Sequence, residues 1–445
     1  MSGLNSSLRS LRHAGGAVAL AAVIVFTGSA AAQFGEAAGI AQSMQQEYFN
    51  RDITTVVREL ELDQIQRLIV EALYEDYQTD FEAGLEQMKE RFKSMRPKMV
   101  AGDEKRVMKM VFGPWEDWTV ERKRLGEQFM ENIKVILNQE QVELWPAFER
   151  SLFREKNILK GQFSGESIDL FNIVRDLHLG EPIETLIQPT MNDYDLALDA
   201  ALRKREDVRR RSVQPMLRSL QESDAELSMQ VIDEQIAARL EVRDVNDRYI
   251  EVIAAALPAD LSEEFRQKAL AQAYPRAYRP SPILRLFKAA RELEDLSAAV
   301  VQEIEDLEQD FQREVAPLND ALKEAIRRHD PESFRWRAEV SAARMTGKSN
   351  PTKSKLERPD FNQRESLCRR FALLLRGLLT EEQYDSLPGS ERWMRRLDPV
   401  QKERKTPESP RDAGTGTIPK PKDPRDPSRG RGDLGRGGGR GSTSM

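Results

Sequence analysis

The sequence is poor in the residue types that most enzymes and disulfide-stabilised proteins use. It has one cysteine, Cys368, and three histidines among 445 residues. A single cysteine cannot form an intramolecular disulfide, so a disulfide framework is excluded. No HExxH, CxxC, GxSxG or GxxxxGK[ST] motif occurs. The sequence therefore predicts no catalytic, metal-binding or cofactor-binding residues, and an enzyme is the least favoured class.

The lone cysteine belongs to an apolar pattern. Cys368 precedes Phe371 by three residues and Leu375 by seven, which places it on the apolar face of a predicted helix. A buried, unreactive thiol is the favoured interpretation, and a catalytic thiol is the alternative.

Long apolar runs are also scarce, and the clearest one lies near the N-terminus. Two arginines precede the run at 17–26, and small residues follow it at 30–32. Because the run is too short to span a bilayer, residues 1–32 are predicted to be a secretory signal cleaved before Gln33. We expect an exported, periplasmic protein, and a retained anchor is the alternative.

Aromatic residues make up 7% of the chain and charged residues 32%, a composition that favours slender helices over one thick core. Residues 401–445 contain eleven Lys and Arg, six Asp and Glu, nine glycines and six prolines, so we expect a disordered basic tail. A solvated tail without a partner is the favoured interpretation, and contact of its arginine-glycine segment with anionic envelope polymers or lipid head groups is the alternative. The segment 33–400 is acidic, so the folded body is not expected to bind nucleic acid.

What the sequence does contain is internal repetition at a spacing of roughly 120 residues. The segment 57–62 aligns with 174–179 at an offset of 117 residues, and 291–294 resembles both. Three later helical segments align through apolar residues four positions apart: Leu125, Phe129, Ile133 and Leu137; Val245, Tyr249, Ile253 and Leu257; Leu367, Phe371, Leu375 and Leu379. One duplicated unit explains both halves of the alignment.

The repetition predicts an elongated all-α protein of three tandem units at 33–160, 161–280 and 281–400. Each unit is expected to contain a long helix, a return helix and a short closing helix, which together bury stripes that none could bury alone. The sequence does not predict the oligomeric state.

In the first unit, the apolar stripe of the long helix is predicted to comprise Ile65, Leu68, Ile69, Ala72, Leu73, Tyr77, Phe81, Leu85, Met88, Phe92 and Met95. This helix is expected to end near Pro97. The segment around Gly102 and Gly113-Pro114 is predicted to be a connection, with a short helix in it as an alternative, and the return helix is predicted at about 119–137.

A short motif recurs where helices are predicted to begin. It consists of a leucine, a capping residue, two variable positions and a glutamine: Leu62, Asp63 and Gln66; Leu137, Asn138 and Gln141; Leu379, Thr380 and Gln383. The Asp, Asn or Thr oxygen can accept from an orphan backbone N–H, while the glutamine reaches back to the N–H of the cap. The motif predicts capping boxes.

With this motif in an exported, helical, cysteine-poor chain, the sequence resembles the Spy and CpxP family of periplasmic proteins, known for its LTxxQ motif. Residues 379–383 match that pattern strictly. The resemblance implies an all-helical protein without a cofactor that binds unfolded or envelope proteins, either as an ATP-independent chaperone or as a stress-response regulator. The alternative is a structural spacer or scaffold of the envelope whose basic tail tethers it.

Methionines and tryptophans are concentrated in the first unit beyond the needs of one slim stripe. The set comprises Met88, Met95, Met99, Met108, Met110, Trp115, Trp118 and Trp145. Because methionine adapts to varied partners, these residues are candidates for a client-binding groove, although ordinary core packing is the favoured interpretation. A chaperone must expose several of them, whereas a scaffold should bury them.

Overall fold

All regular secondary structure in the described part of the chain is helical. The computed structural model describes residues 44–95, 104–349, 351 and 358–391. The protein is therefore all-α, as predicted. The predicted signal at 1–32 and the predicted tail at 401–445 lie outside the described residues.

The helix order short, long, return and closing recurs along the chain. The first set is α1 (Asn50–Glu59), α2 (Gln64–Met95), α3 (Glu104–Val135) and α4 (Gln139–Asn157). The second is α5 (Leu170–Arg175), α6 (Glu181–Arg211), α7 (Val213–Glu222), α8 (Ala225–Ala256), α9 (Ala259–Ala273) and α10 (Pro275–Tyr278). The third is α11 (Pro282–Arg291), α12 (Ala298–Met345), α13 (Asn362–Leu378) and α14 (Glu381–Ser386).

Each long helix packs on its return helix through an aromatic pair. The ring centroids are 5.2 Å apart for Tyr77 and Phe129, 5.3 Å for Tyr194 and Tyr249, and 5.4 Å for Phe311 and Phe371. The return-helix member of every pair is one of the residues that the sequence aligns. The common spacing of large apolar groups thus produces a common helix–helix contact.

The ends of the first two short helices also share a backbone conformation. Glu61 and His178, which align at the offset of 117 residues, both adopt φ +50°. Left-handed backbone is uncommon for residues other than glycine. Its occurrence at aligned positions supports the duplication independently of side-chain similarity.

Two main hydrophobic cores lie along the chain. The first is built from residues between Ile53 and Leu152. The second extends from Ile158 to Ile326 and combines helices of the second and third repeats, because Leu322 of α12 packs in it with residues of α6, α8 and α9. The second and third predicted units therefore share a core across the boundary that the sequence predicts at 280.

Proline has different effects in different helices: α2 ends at Met95, close to the predicted end near Pro97, whereas two other helices continue through prolines. α3 continues through Pro114, so the predicted connection at Gly113-Pro114 is wrong. α12 continues through Pro317 and Pro331. An internal proline costs about 3 kcal/mol. Packing after the proline offsets this cost, since Trp118 is buried in the first core.

The buried stripe of α2 differs from the prediction at its first turns. Val70, Tyr74, Tyr77, Phe81, Leu85, Met88 and Phe92 are buried, in a line that steps by three or four residues. Ile65, Leu68 and Ile69 are exposed, so their predicted place in the core stripe is wrong. On a helix of 3.6 residues per turn they project roughly 100° or more away from this line, and Gln66 faces the interior instead.

Candidate functional site

The three predicted helix-start motifs form capping boxes. In each box the cap oxygen accepts from the glutamine N–H, and the glutamine Oε1 accepts from the N–H of the cap. These two distances are 2.8 and 3.0 Å for Asp63 and Gln66, 2.8 and 3.0 Å for Asn138 and Gln141, and 3.2 and 3.0 Å for Thr380 and Gln383. Leu62 and Leu379, which precede two of the caps, are buried, and Leu137 is half-buried.

The first two boxes meet through their glutamines. Gln66 Nε2 donates to Gln141 Oε1 at 2.7 Å and to the Ile136 carbonyl at 2.8 Å. Gln141 Nε2 donates to Gln66 Oε1 at 2.9 Å and to the Glu61 carbonyl at 3.2 Å. With the two cap bonds included, each amide uses two donors and two acceptors, its full capacity. We call Gln66, Gln141, Ile136 and Glu61 together the glutamine junction.

Exposed apolar side chains surround the glutamine junction. Ile65 is 70% exposed, Val135 84% and Val142 50%. Each is the chain neighbour of a junction residue, so all three lie on the surface around it. We use "apolar rim" for the set Ile65, Leu68, Ile69, Val135, Val142 and Leu144, all of which are exposed.

Carboxylates predominate around the apolar rim. Glu61, Asp63, Glu140 and Glu143 are exposed, and none has an ion-pair partner among the described residues. Three cations in the adjoining segments are already paired: Arg58 with Glu59 at 3.2 Å, Arg67 with Glu71 at 2.8 Å, and Lys134 with Glu131 at 2.7 Å. The surface therefore combines apolar side chains with a local excess of negative charge.

The predicted client-binding residues lie mostly elsewhere. Met88, Trp118 and Trp145 are buried in the first core, and Met95 and Trp115 are half-buried. Trp118 packs edge-on against Phe81 at 5.2 Å. Met99, and the side chains of Met108 and Met110, lie outside the described part of the structure. The described members of the set mainly fill the core, and the structure does not gather them on one exposed surface.

The apolar rim is not predicted from the sequence, because the apolar pattern assigns its α2 members to the core stripe. A sharper signal exists. Val70 and Tyr74 extend the line of Tyr77 and Phe81 upstream at intervals of four and three residues, whereas Ile65 and Ile69 do not fall on that line.

A second polar cluster holds the segment 161–169, which connects the first core to the second. Glu166 is fully buried, and its carboxylate lies 2.7 Å from Arg205 Nη1 and 3.2 Å from Arg239 Nη1. The same carboxylate accepts from the Gln162 and Phe163 amides at 2.7 and 3.1 Å. Burial lowers the pKa of the Arg239 guanidinium, although Glu166 opposes this effect. Because the carboxylate is saturated with donors, the cluster serves to fix the segment.

The remaining reactive groups do not converge on a site. Cys368 is buried with its Sγ 3.5 Å from Ser281 Oγ, and burial raises the pKa of its thiol, as expected for an unreactive group. In the described ranges, no group of three or more His, Cys, Asp or Glu side chains is arranged to hold a metal ion. Nor does any helix in those ranges have the length and apolar character needed to cross a membrane.

Comparison with known proteins adds no relative. No protein-family model, no curated protein and no solved structure matches the chain. The function is therefore argued from the site alone.

Proposed function

We propose that the protein is an exported, non-enzymatic helical protein that binds unfolded or envelope polypeptides, in the manner of the Spy and CpxP family. The observation that carries this proposal is the apolar rim around the glutamine junction. The junction is built from two LTxxQ-like boxes, and the side chains around it are apolar, exposed and held on a fixed frame. Exposed apolar groups gathered in this way are typical of protein-binding surfaces.

Binding without nucleotide follows from the chemistry of such a surface. Covering apolar area contributes about 25 cal/mol per Å² removed from water, and ordering a flexible client opposes this gain. A small rim therefore favours weak binding with rapid release. The junction needs no rearrangement on binding, since both amides already have all their hydrogen bonds.

The test is light scattering of an aggregating client, with and without the purified mature chain and with a chain truncated after Val400. We expect both chains to suppress aggregation near stoichiometric ratio, which would place the activity in the helical repeats. The variant Ile65→Ser/Leu68→Ser should lose suppression, whereas Leu373→Ser/Leu374→Ser, which removes two exposed leucines from α13, should retain it. Absence of suppression by either unmodified chain would contradict the proposal.

A second candidate function is an envelope spacer or scaffold tethered by the basic tail to anionic polymers or lipid head groups. The burial of Met88, Trp118 and Trp145 favours it, because a scaffold has no need to expose such residues. Retention of the full chain on anionic vesicles, together with loss of that retention on truncation after Val400 and no suppression of aggregation, would support this function over the first.

Export is part of both proposals. Its support is the charge and apolar pattern at 1–32. N-terminal sequencing of the protein purified from cells should give Gln33 as the first residue, and an intact N-terminus in a membrane fraction would indicate the retained anchor.

A further inference from the structure

We propose that the apolar rim binds cationic amphipathic segments, meaning polypeptide stretches that carry leucine-like side chains on one face and lysine or arginine beside them. This inference rests on the proposed function and names the chemical class of the client. It predicts selection by charge, which a general holdase surface would not show.

First, exposed apolar side chains of three helices lie close to one point. Gln66 is hydrogen-bonded to both Ile136 and Gln141, so α2, the end of α3 and the start of α4 meet at one point. Ile65, Val135 and Val142 are neighbours of those residues in the chain and are exposed. A client that covers the junction thus contacts apolar groups from three helices.

The second step is the spacing on α2. Ile65, Leu68 and Ile69 stand at positions i, i+3 and i+4, so they form a ridge on the side of α2 turned away from its buried line. Helical partners commonly present apolar anchors with this same spacing. The ridge suits a short amphipathic segment that lies along it.

The third step is charge. Glu61, Glu140 and Glu143 project around the apolar rim without ion-pair partners in the described structure, while Arg67 and Lys134 are each paired locally. A cationic segment gains attraction to these carboxylates as its apolar face is covered, whereas an anionic segment or an anionic membrane is repelled. Charge complementarity therefore selects a basic polypeptide as the occupant.

The exposed leucines of α13 provide an internal contrast. Leu373 and Leu374 are 48% and 49% exposed, and the charged residues next to them on α13 are Arg369, Arg370 and Arg376. Each of these arginines is paired with a carboxylate, so the two leucines have no excess of negative charge beside them. This surface is consequently a matched control for the contribution of charge.

The experiment measures fluorescence anisotropy of a labelled 14-residue peptide made of leucine and lysine at helical spacing, titrated with the full mature chain. The same peptide with glutamate in place of lysine is the comparison. We expect the lysine peptide to bind at least about tenfold more tightly than the glutamate peptide at low ionic strength, and the ratio to fall as salt is added.

Two variants test whether the peptide binds at the apolar rim. Glu61→Gln/Glu140→Gln/Glu143→Gln should weaken the lysine peptide about tenfold, and Ile65→Ser/Ile69→Ser should weaken both peptides. The variant Glu294→Gln/Asp295→Asn/Glu303→Gln also removes three negative charges, but from the third repeat. It should bind the lysine peptide as tightly as the unmodified protein does. Leu373→Ser/Leu374→Ser should also leave binding unchanged. Circular dichroism of each variant checks that it is folded.

Several results would overturn the inference. These are equal binding of the two peptides, no effect of the rim carboxylates, or an equal effect of the third-repeat carboxylates. The proposed function fails separately. If the lysine peptide binds at the rim but aggregation is not suppressed, the inference stands and the proposed holdase activity is wrong. If aggregation is suppressed but both peptides bind equally, the holdase activity stands and the inference is wrong.

Discussion

At the scale of single residues, the same capping glutamine has different importance in different boxes. Within the described part of the chain, the side chain of Gln383 makes only the local bonds of its box. Gln141 makes those bonds and also reaches the end of α1 and the start of α2, and its side chain is buried. A buried amide that loses its partners leaves their donors and acceptors unpaired, which costs more than the loss of a cap.

We therefore expect Gln141→Ala to lower the free energy of unfolding by about 2–4 kcal/mol, because the Gln66 amide loses two of its four hydrogen bonds and the Glu61 carbonyl loses the amide that donates to it. Gln383→Ala, the matched control, should cost about 1 kcal/mol, the usual value of a helix cap. Urea denaturation followed by circular dichroism measures both values. Equal costs would show that the junction adds nothing to capping.

Tyr77 gives a prediction for alkaline pH. Burial raises the pKa of its hydroxyl from about 10 to about 12, although the Glu47 amide donates to it at 2.9 Å. Because the folded-state pKa is raised, the stability that depends on the neutral hydroxyl is complete below pH 10 and is lost as the pH rises from 10 to 12.

Tyr77→Phe should accordingly lose about 1 kcal/mol near pH 7, through the missing hydrogen bond, but should show a smaller decline of stability between pH 10 and 12 than the unmodified protein. Urea midpoints at pH 8, 10, 11 and 12 test this expectation. If stability declines equally in the two proteins between pH 10 and 12, other tyrosines cause the loss of stability at alkaline pH.

At the scale of elements, the segment 161–169 is a non-helical connection that nevertheless lies in the interior. Gly165 adopts φ +84°, and its N–H donates to the Ala273 carbonyl at 2.8 Å. A Cβ at this position would lie 2.7 Å from Tyr274 Oη and 2.9 Å from Arg243 Cγ. Both the backbone conformation and the space require glycine here.

Gly389 is a matched control, because it has φ +85° and no atom lies within 4 Å of the position that an alanine Cβ would take. We expect Gly389→Ala to cost about 1 kcal/mol, from backbone strain alone, and Gly165→Ala to cost at least about 2 kcal/mol more. Thermal and urea unfolding measure the difference. Similar costs would mean that the segment yields to the added methyl group.

Sequence reasoning succeeds for elements whose causes are local. The boxes at Asp63, Asn138 and Thr380 depend on residues three positions apart, so the sequence predicts them directly. The pairing of Gln66 with Gln141 joins residues 75 positions apart and leaves no local signal. The continuation of α3 through Pro114 likewise depends on tertiary packing that outweighs a local penalty.

At the scale of the whole molecule, the repeats differ in whether each has a hydrophobic core of its own, although their sequences are similar. The first core is complete within 53–152, whereas the second takes Leu322 and Ile326 from α12 to complete a cluster that begins at Ile158. α12 can do this because it is 48 residues long and extends beyond its own repeat. The array is therefore expected to divide at 160 more readily than at 280.

This difference predicts the behaviour of fragments. A fragment of residues 33–160 retains every buried residue of the first core and should unfold cooperatively in urea, although it loses the ion pairs of Arg150 and Arg154 with Asp195. Arg154 is buried in the full chain, but removal of α6 exposes both arginines to water, so the fragment is left with no unpaired buried charge at these positions. A fragment of residues 161–280 loses Leu322 and Ile326 and exposes the apolar surface that they cover, so it should be unfolded or aggregated.

The fragment of residues 161–400 supplies the control, since it restores α12 and should fold where 161–280 does not. Far-ultraviolet circular dichroism and the steepness of the urea transition measure all three fragments under the same conditions. A cooperative transition for 161–280 would show that the shared core is dispensable and that each repeat folds alone. Failure of 33–160 would instead show that the contacts of α4 with α6 hold the first core together, so that the repeats depend on one another along the whole chain.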